Sequence, residues 1–289
     1  MLENSFFIVI YIIYVQRYTF TTNIQAITIK NHVFVYNVEL FLYLCYRNQV
    51  SNIKSMKPRI VVFTGAGVSA DSGIATFRDA DGLWANYRIE EVCTPEALQR
   101  NRAKVVEFYN LRRKESLTKE PNAGHLAIAS MEEWADVCVV TQNVDNLHER
   151  GGSHRVLHLH GELMKLRSER NPNLIYPISG WEQGLDERAE DGALLRPHIV
   201  FFGESVPMFE AACEIVAEAD ILIVVGTSLA VYPAASLVHY VRDREVPIYL
   251  VDPGTPDTAL IRNPLTPIKE RGAIGVPQLV ESLRNEFSK

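Results

Sequence analysis

Six short runs rich in Val, Ile and Leu constrain what this chain can fold into: residues 59–64, 137–141, 155–159, 198–202, 221–225 and 246–251. Stretches of helical character separate them. Uninterrupted apolar runs of this length are what strands need when both faces of a parallel sheet are covered. The expected class is therefore α/β, a parallel sheet flanked by helices. Each run ends in residues that a core would not choose: Gly65-Ala66-Gly67, Gln142-Asn143-Val144-Asp145, His160-Gly161-Glu162, Gly203-Glu204, Gly226-Thr227-Ser228 and Asp252-Pro253-Gly254. In an open α/β sheet ligands bind beyond the carboxyl ends of the strands, so these groups read as one shared crevice.

Between the runs, residues 95–116, 123–133, 210–218 and 232–244 have amphipathic helical character, the last opened near Pro233. Residues 163–197 break the rhythm. They are polar, turn-rich and without clear period, which predicts a small module inserted against the main sheet. The chain also changes character at its start. Residues 1–55 have no Gly, Pro or Asp, yet hold eleven of the 24 Phe and Tyr residues. Their apolar run, residues 6–15, is half of the roughly 20 residues that a membrane-spanning helix requires. It also lacks the basic start and small-residue cleavage site of a secretory signal. The expectation is that translation starts at Met56 and that 1–55 is atypical sequence, untranslated or disordered. The rival reading is a peripheral membrane arm.

From residue 57 onward, 25 Lys and Arg face 33 Asp and Glu, a net charge of −8. Such a surface lacks the basic footprint of bulk nucleic-acid binding, and no stable membrane insertion is expected. Cys45, Cys93, Cys138 and Cys213 are isolated, with no Cys-x-x-Cys pair. That usage fits a reducing compartment such as the cytoplasm and supplies no zinc or redox motif.

The most chemical stretch is "FTGAGVSADSGIATFRDADGLW", residues 63–84. A glycine-rich turn between strand and helix lets backbone amides approach a phosphate, and the helix terminus adds partial positive charge. A plain dehydrogenase would follow with a second strand ending in an acidic residue about twenty positions on. Residues 85–92 form no such strand. Instead Ser72 to Asp79 reads as a long loop carrying Arg78.

Gly65-Ala-Gly-Val-Ser69, Gly73-Ile-Ala-Thr-Phe-Arg78, Thr141-Gln-Asn-Val-Asp145, His158-Leu-His-Gly-Glu162, Phe202-Gly-Glu204 and Gly226-Thr-Ser228 together resemble the sirtuin family of NAD-dependent protein lysine deacylases. The resemblance runs from about Pro58 to the C-terminus. It implies a Rossmann-like NAD domain, a small module beside it, and a cleft where NAD meets an acyl-lysine of a protein substrate. By the same resemblance Gly65, Ala66 and Gly67 cradle the pyrophosphate, and Gly226, Thr227 and Ser228 take adenosine-side groups. Arg78 serves the nicotinamide ribose, with Ser69, Ser72, Thr76, Phe77, Trp84 and Gln142 also on the cofactor. Asp252, where relatives often have Asn, and Ala273 lie toward the adenosine. Catalysis needs no metal. Departure of nicotinamide exposes the ribose to the acyl oxygen, and a base must then activate a ribose hydroxyl. His160 is the candidate, because imidazole titrates near neutral pH. Asn143 and Asp145 would bind ribose hydroxyls. His158 competes for the base role, since residues two apart share a face of an extended strand. The implied products are free lysine, nicotinamide and O-acyl-ADP-ribose.

Tyr109 and Arg112, three apart on a helix, could bind one carboxylate together. The pair resembles that of the sirtuin branch that removes succinyl and malonyl groups, with Ala80 leaving room for the longer chain. Phe202, Gly203 and Glu204 are expected along the peptide, which could add as a strand between the domains. One departure stands out. Sirtuins usually carry four zinc-binding cysteines in the small module, and residues 161–200 contain none. Zinc is not expected, and the module would rely on packing around Tyr176, Ile178 and Trp181. The alternatives to a deacylase are ADP-ribosyl transfer and an NAD- or ADP-ribose-binding module without turnover. The missing cysteines favour the last; His160, Asn143 and Asp145 oppose it.

Overall fold

The structure is a computed structural model that describes residues 24–29, 32–37, 57–75, 86–259 and 261–287. It divides into two compact units, Met1–Met56 and Lys57–Lys289. In the first, β1 (Ile24–Ile29) and β2 (His32–Asn37) form an antiparallel pair. The rest of 1–55 lies outside the described residues.

The second unit opens with β3 (Arg59–Thr64), then α1 (Gly67–Ala70), α2 (Ile89–Val92), α3 (Pro95–Arg100), α4 (Arg102–Ser116) and α5 (Ala123–Ser130). The expected single helix over 95–116 is two helices. Asn101 leaves helical geometry between them, and its side chain accepts from Lys104 N–H to cap α4. After β4 (Asp136–Thr141), α6 (Leu147–Arg150) and β5 (Val156–His158) comes the inserted module: β6 (Gly161–Ser168), β7 (Ile175–Pro177) and β8 (Leu195–Ile199). Then follow α7 (Phe209–Ala217), β9 (Ile221–Val225), β10 (Ile248–Val251), β11 (Leu265–Ile268) and α8 (Gly272–Phe287).

Six strands form one parallel sheet in the order β11-β10-β9-β3-β4-β5. Its central strands are buried on both faces, β9 throughout and β3 from Ile60 to Thr64. Val61, Phe63, Leu222 and Val224 face one core; Ile60, Val62, Ile221 and Ile223 face the other. Burying each such side chain contributes about 1.5–3 kcal/mol, so uniform apolar runs are the economical way to write a central strand.

Two expectations are corrected. The run at 198–202 is no strand of the parallel sheet: β8 pairs antiparallel with β6, which also pairs with β7, in a separate three-stranded sheet. The sixth parallel strand is instead β11, an edge strand that includes Pro267, which its edge position tolerates. Over 232–244 the chain makes only a 3₁₀ helix, Ala234–His239. No helix among the described residues is long and apolar enough to cross a membrane.

Candidate active site

The turn after β3 and the turn after β9 touch. A Cβ on Gly65 would lie 2.8 Å from Gly226 O, one on Gly67 2.7 Å from Gly226 Cα, and one on Gly226 2.4 Å from Val68 N. Gly226 also has φ +60°, a conformation that side chains disfavour. The glycines thus allow two backbones to meet. Their N–H groups are engaged, Gly65 to Val225 O, Gly67 to Gly226 O and Gly226 to Val251 O. They are therefore not donors to an anion. Among the described residues nothing accepts from the N–H groups of Ala66, Thr227 and Ser228, which stand at these same turns. Three such amides at adjacent strand ends fit an anionic phosphate ligand. Gly272 at the start of α8 packs against Val68 and Val225, which brings the neighbouring Ala273 to this end of the sheet. Asp252 Oδ1 accepts from Gly254 N–H within its own turn.

Beyond β4, the loop 142–145 lies over a buried polar network. Ser69 Oγ donates to Asp145 Oδ2 at 3.2 Å, accepts from Asn143 Nδ2 at 3.1 Å, and lies 3.4 Å from His125 Nε2. His125 Nδ1 accepts from Asn122 N–H, so its Nε2 carries the proton and donates to Ser69. Asp145 Oδ1 accepts from Leu147 N–H, and burial raises the carboxyl pKa above its ordinary value. A second chain lies beside it. Thr64 Oγ1 donates to Thr141 Oγ1 at 2.8 Å and lies 3.0 Å from His148 Nε2. Thr141 Oγ1 also accepts from Asn143 N–H. Burial keeps both histidines neutral, lowering His125 to about 4 and His148 well below its usual value. Ser69, Asn143 and Asp145 thus come together, with Ser69 a buried hub. His125, His148, Thr64 and Thr141 were not anticipated. Only the Asn122–His125 capping box leaves any trace in the sequence.

The two histidines at the end of β5 and just beyond it have different environments. His160 Nδ1 lies 3.0 Å from Gln142 O, so Nδ1 is protonated and Nε2 keeps its lone pair. Burial lowers its pKa, only partly opposed by that hydrogen bond, so the ring is neutral at neutral pH. His158 Nδ1 lies 2.7 Å from Asn143 O and its Nε2 2.8 Å from Glu149 Oε1. Neither nitrogen of His158 is left for proton transfer. Gln142 Nε2 donates to Thr227 Oγ1, tying the 142–145 loop to the β9 turn. Ser72 Oγ accepts from Asn122 Nδ2.

Of the residues expected on the substrate side, Tyr109 is wholly buried, with its hydroxyl 3.2 Å from Cys93 Sγ and its ring stacked on Phe201. The Arg112 guanidinium lies over that ring, 5.6 Å from its centroid. Helix α4 therefore brings the pair together, with the guanidinium on the ring face and the phenol on a thiol. Phe202 is exposed and Gly203 has φ +91°. The Glu204 side chain turns inward, its carboxylate accepting from Arg196, Arg167 and Phe201 N–H. Thr76, Phe77, Arg78, Ala80 and Trp84 lie outside the described residues.

The Sir2 family model matches residues 65–233, which contain nearly all of these groups. The chain belongs to the Sir2 family. An NAD-dependent protein deacylase of Aggregatibacter actinomycetemcomitans is 53% identical over 211 residues, covering 73% of this chain and 99% of that protein. One of Bacteroides thetaiotaomicron is 49% identical over 229 residues, covering 78% and 97%. Among solved structures, a Sir2 homologue mutant in complex with ADP-ribose superposes with a TM-score of 0.73 at 36% identity, covering 83% of this chain and 97% of that one. A Sir2 homologue–NAD complex gives 0.72 at 36% identity, covering 83% and 94%. The described residues of this Sir2 chain offer no group suited to a zinc ion. Its module has no cysteine, and no cluster of His, Cys, Asp and Glu among the described residues could hold a metal.

Proposed function

We propose that this Sir2-family chain is an NAD-dependent protein lysine deacylase working in a reducing compartment, with His160 as its base. The observation that carries this reading is the asymmetry of the imidazole. Its Nδ1–H is spent on Gln142 O, leaving a neutral ring with a basic Nε2 at the carboxyl ends of the strands. Bound NAD would supply a ribose C1′ that becomes electrophilic as nicotinamide leaves. The amides of Ala66, Thr227 and Ser228 would hold its phosphates. Asn143 and Asp145, both pinned by Ser69, would orient the ribose, so that the hydroxyl losing its proton faces Nε2 of His160. Arg78 and the residues beside it would close the nicotinamide end.

The acyl group we assign is a dicarboxylic one, succinyl or malonyl, with acetyl as the lesser substrate. Arg112 supports this. It places a cation beside Tyr109, on the helix that packs against the Phe201–Glu204 turn.

The test incubates the full chain with NAD and matched acetyl-lysine and succinyl-lysine peptides, following peptide mass and O-acyl-ADP-ribose. Faster loss of succinyl with the matching ester is expected. His160→Ala should lose both activities by about 100-fold or more while retaining ADP-ribose binding. Tyr109→Phe with Arg112→Met should lose desuccinylation far more than deacetylation. NAD binding without release of either acyl group would overturn the assignment, and equal losses on both peptides would overturn the acyl preference alone.

A further inference from the structure

The loop 142–145 has an unusual support. Three consecutive carbonyls, of Gln142, Asn143 and Val144, each accept from residues between the end of β5 and the start of β6: from His160 Nδ1 at 3.0 Å, His158 Nδ1 at 2.7 Å and Leu163 N–H at 2.7 Å. Two of the three donors are histidine side chains, and only one of those histidines has a nitrogen to spare. The other nitrogen of His158 faces a carboxylate oxygen of Glu149 at 2.8 Å. An imidazole with an acceptor at each nitrogen satisfies both only when it carries both protons.

We infer that His158 is a positioning residue, a doubly donating imidazolium that bridges Glu149 to Asn143 O and so sets the path of the loop carrying Asn143 and Asp145. The hydrogen bond at Asn143 O sits on the same residue whose side chain reaches Ser69. A shift there moves the amide and carboxylate assigned to the ribose, while the acyl-lysine side of the cleft stays in place. The charged and titratable groups facing His158 are Glu149 on α6, Glu162 on β6, Asp145 on the loop and neighbouring His148. Burial works against its charge, but the hydrogen bond and charge of Glu149 prevail and raise its pKa. Glu149 responds reciprocally: burial raises its pKa, and the hydrogen bond from His158 brings it below the ordinary carboxylate value. With an acceptor at each nitrogen, His158 carries both protons and forms an ion pair with Glu149, and it does not compete with His160 as base.

For its kinetic readout the inference rests on the deacylase reading. The test compares the full wild-type chain with His158→Ala, His158→Gln and Glu149→Gln. Steady-state rates are taken against NAD and against acyl peptide over a range of pH, with ADP-ribose affinity measured by calorimetry. His158→Ala is expected to lower kcat/KM for NAD by about 100-fold with the KM for peptide unchanged. His158→Gln still donates to Asn143 O and should recover part of that loss. It also serves where the alanine variant fails to fold. The alkaline limb of the wild-type profile, where His158 loses its second proton, should move to lower pH in Glu149→Gln and vanish in His158→Gln. In imidazole ¹⁵N spectra of the wild type, both nitrogens of His158 should be protonated at neutral pH. A neutral His158, an unmoved alkaline limb, or an unchanged kcat/KM for NAD in both His158 variants would overturn the inference. Should the wild-type chain release no acyl group, the deacylase reading falls separately. The positioning role is then decided by ADP-ribose affinity, supported by a loss in His158→Gln and overturned by equality with wild type.

Discussion

The parallel sheet and the inserted module are held together by different physics. In the sheet, apolar side chains fill both faces, and two continuous cores run along β3, β4, β9 and β10. The module's own apolar cluster is small, Leu166, Ala189 and Leu195 with Tyr176 and Ile178 packed against them, while Leu163 and Ile199 pack with Phe108 and Tyr109 of α4. Directional polar ties do the rest. Arg113, wholly buried on α4, donates to Trp181 O at 2.8 Å and Asn110 Oδ1 at 2.6 Å, with Leu163 O and Gln183 Oε1 at 3.5 Å. Gln183 in turn donates to Leu195 O, and Arg102 pairs with Glu169. Arg196 and Arg167 close on Glu204 at the far end. Apolar burial is non-directional and tolerates exchange of like for like, whereas a buried hydrogen-bonding centre fails when one partner goes. The difference teaches where each half of the molecule is fragile: the sheet at its glycine contacts, the module at its arginines.

The largest effect should come from the tightest of the glycine contacts in the sheet domain. Gly226→Ala puts a methyl 2.4 Å from Val68 N at a position with φ +60°. We expect a loss of about 4 kcal/mol in stability, read by chemical denaturation, together with loss of ADP-ribose binding. A stable, nucleotide-binding Gly226→Ala protein would mean that the two turns are not packed as described.

Acid should open the same domain from beneath its crevice. His125 is held neutral by burial with a pKa of about 4 against 6.5 for a free histidine. The unfolded chain therefore gains a proton on that residue between those values and the folded chain does not. Stability supplied by His125 is full above 6.5 and is lost as pH falls toward about 4, a change of about 3 kcal/mol. His148 acts in the same direction. His158, with its raised pKa, acts oppositely, contributing below 6.5 and losing that contribution as pH rises through its folded value. The module behaves differently over the acid window. Burial raises the Glu204 pKa, but the hydrogen bond and charge of Arg196 outweigh it, so its contribution persists until pH falls below 4.5. Hydrogen exchange between pH 6.5 and about 4 should therefore show the α5–α6 region loosening before the module. His125→Gln, which cannot titrate, should flatten that fall, and an unaltered pH dependence in that variant would assign the acid limb elsewhere.

A smaller and more local loss is expected in the module. Arg113→Met keeps the apolar stem but leaves the carbonyls of Trp181 and Leu163 without their donor, at a cost of about 2 kcal/mol. Exchange protection should fall in 161–199 and stay unchanged in β3, β4 and β9. Uniform loss across the chain would show that module and sheet unfold as one.

This division also explains what could be read from the sequence. β3, β4, β9 and β10 were legible because burial on both faces writes an uninterrupted Val/Ile run. β11 was not, because an edge strand half open to solvent tolerates Thr266 and Pro267. The run at 198–202 has the right composition, but the module turns it antiparallel and the chain leaves the sheet at Ile199. In the site, residues adjoining the strand ends were visible as polar punctuation: Gln142, Asn143, Asp145, His160, Thr227. The groups beneath them were not. Ser69 reaches His125 and Asp145 across 56 and 76 residues of chain, and Thr64 reaches His148 across 84. No local pattern records such pairings. Glu204 is a further case: its place in the sequence gives no sign that its side chain is held by two arginines of the module.

The smallest effect expected is none at all, and it bears on the module most directly. If arginine-centred ties replace a structural metal, prolonged dialysis of the chain against a strong chelator should leave its melting temperature, its exchange protection in 161–199 and its deacylase rate unchanged. Structural zinc sites contribute folding energy outright, so a module that depended on one would loosen or unfold. The same dialysis applied to Arg113→Met sharpens the test, since a weakened module would expose any metal contribution that the intact ties conceal. One tightly held zinc per chain by elemental analysis, or a drop in melting temperature on chelation, would mean that the ligands come from residues outside those described. The module would then be held as the sheet is not, by a metal as well as by its arginines.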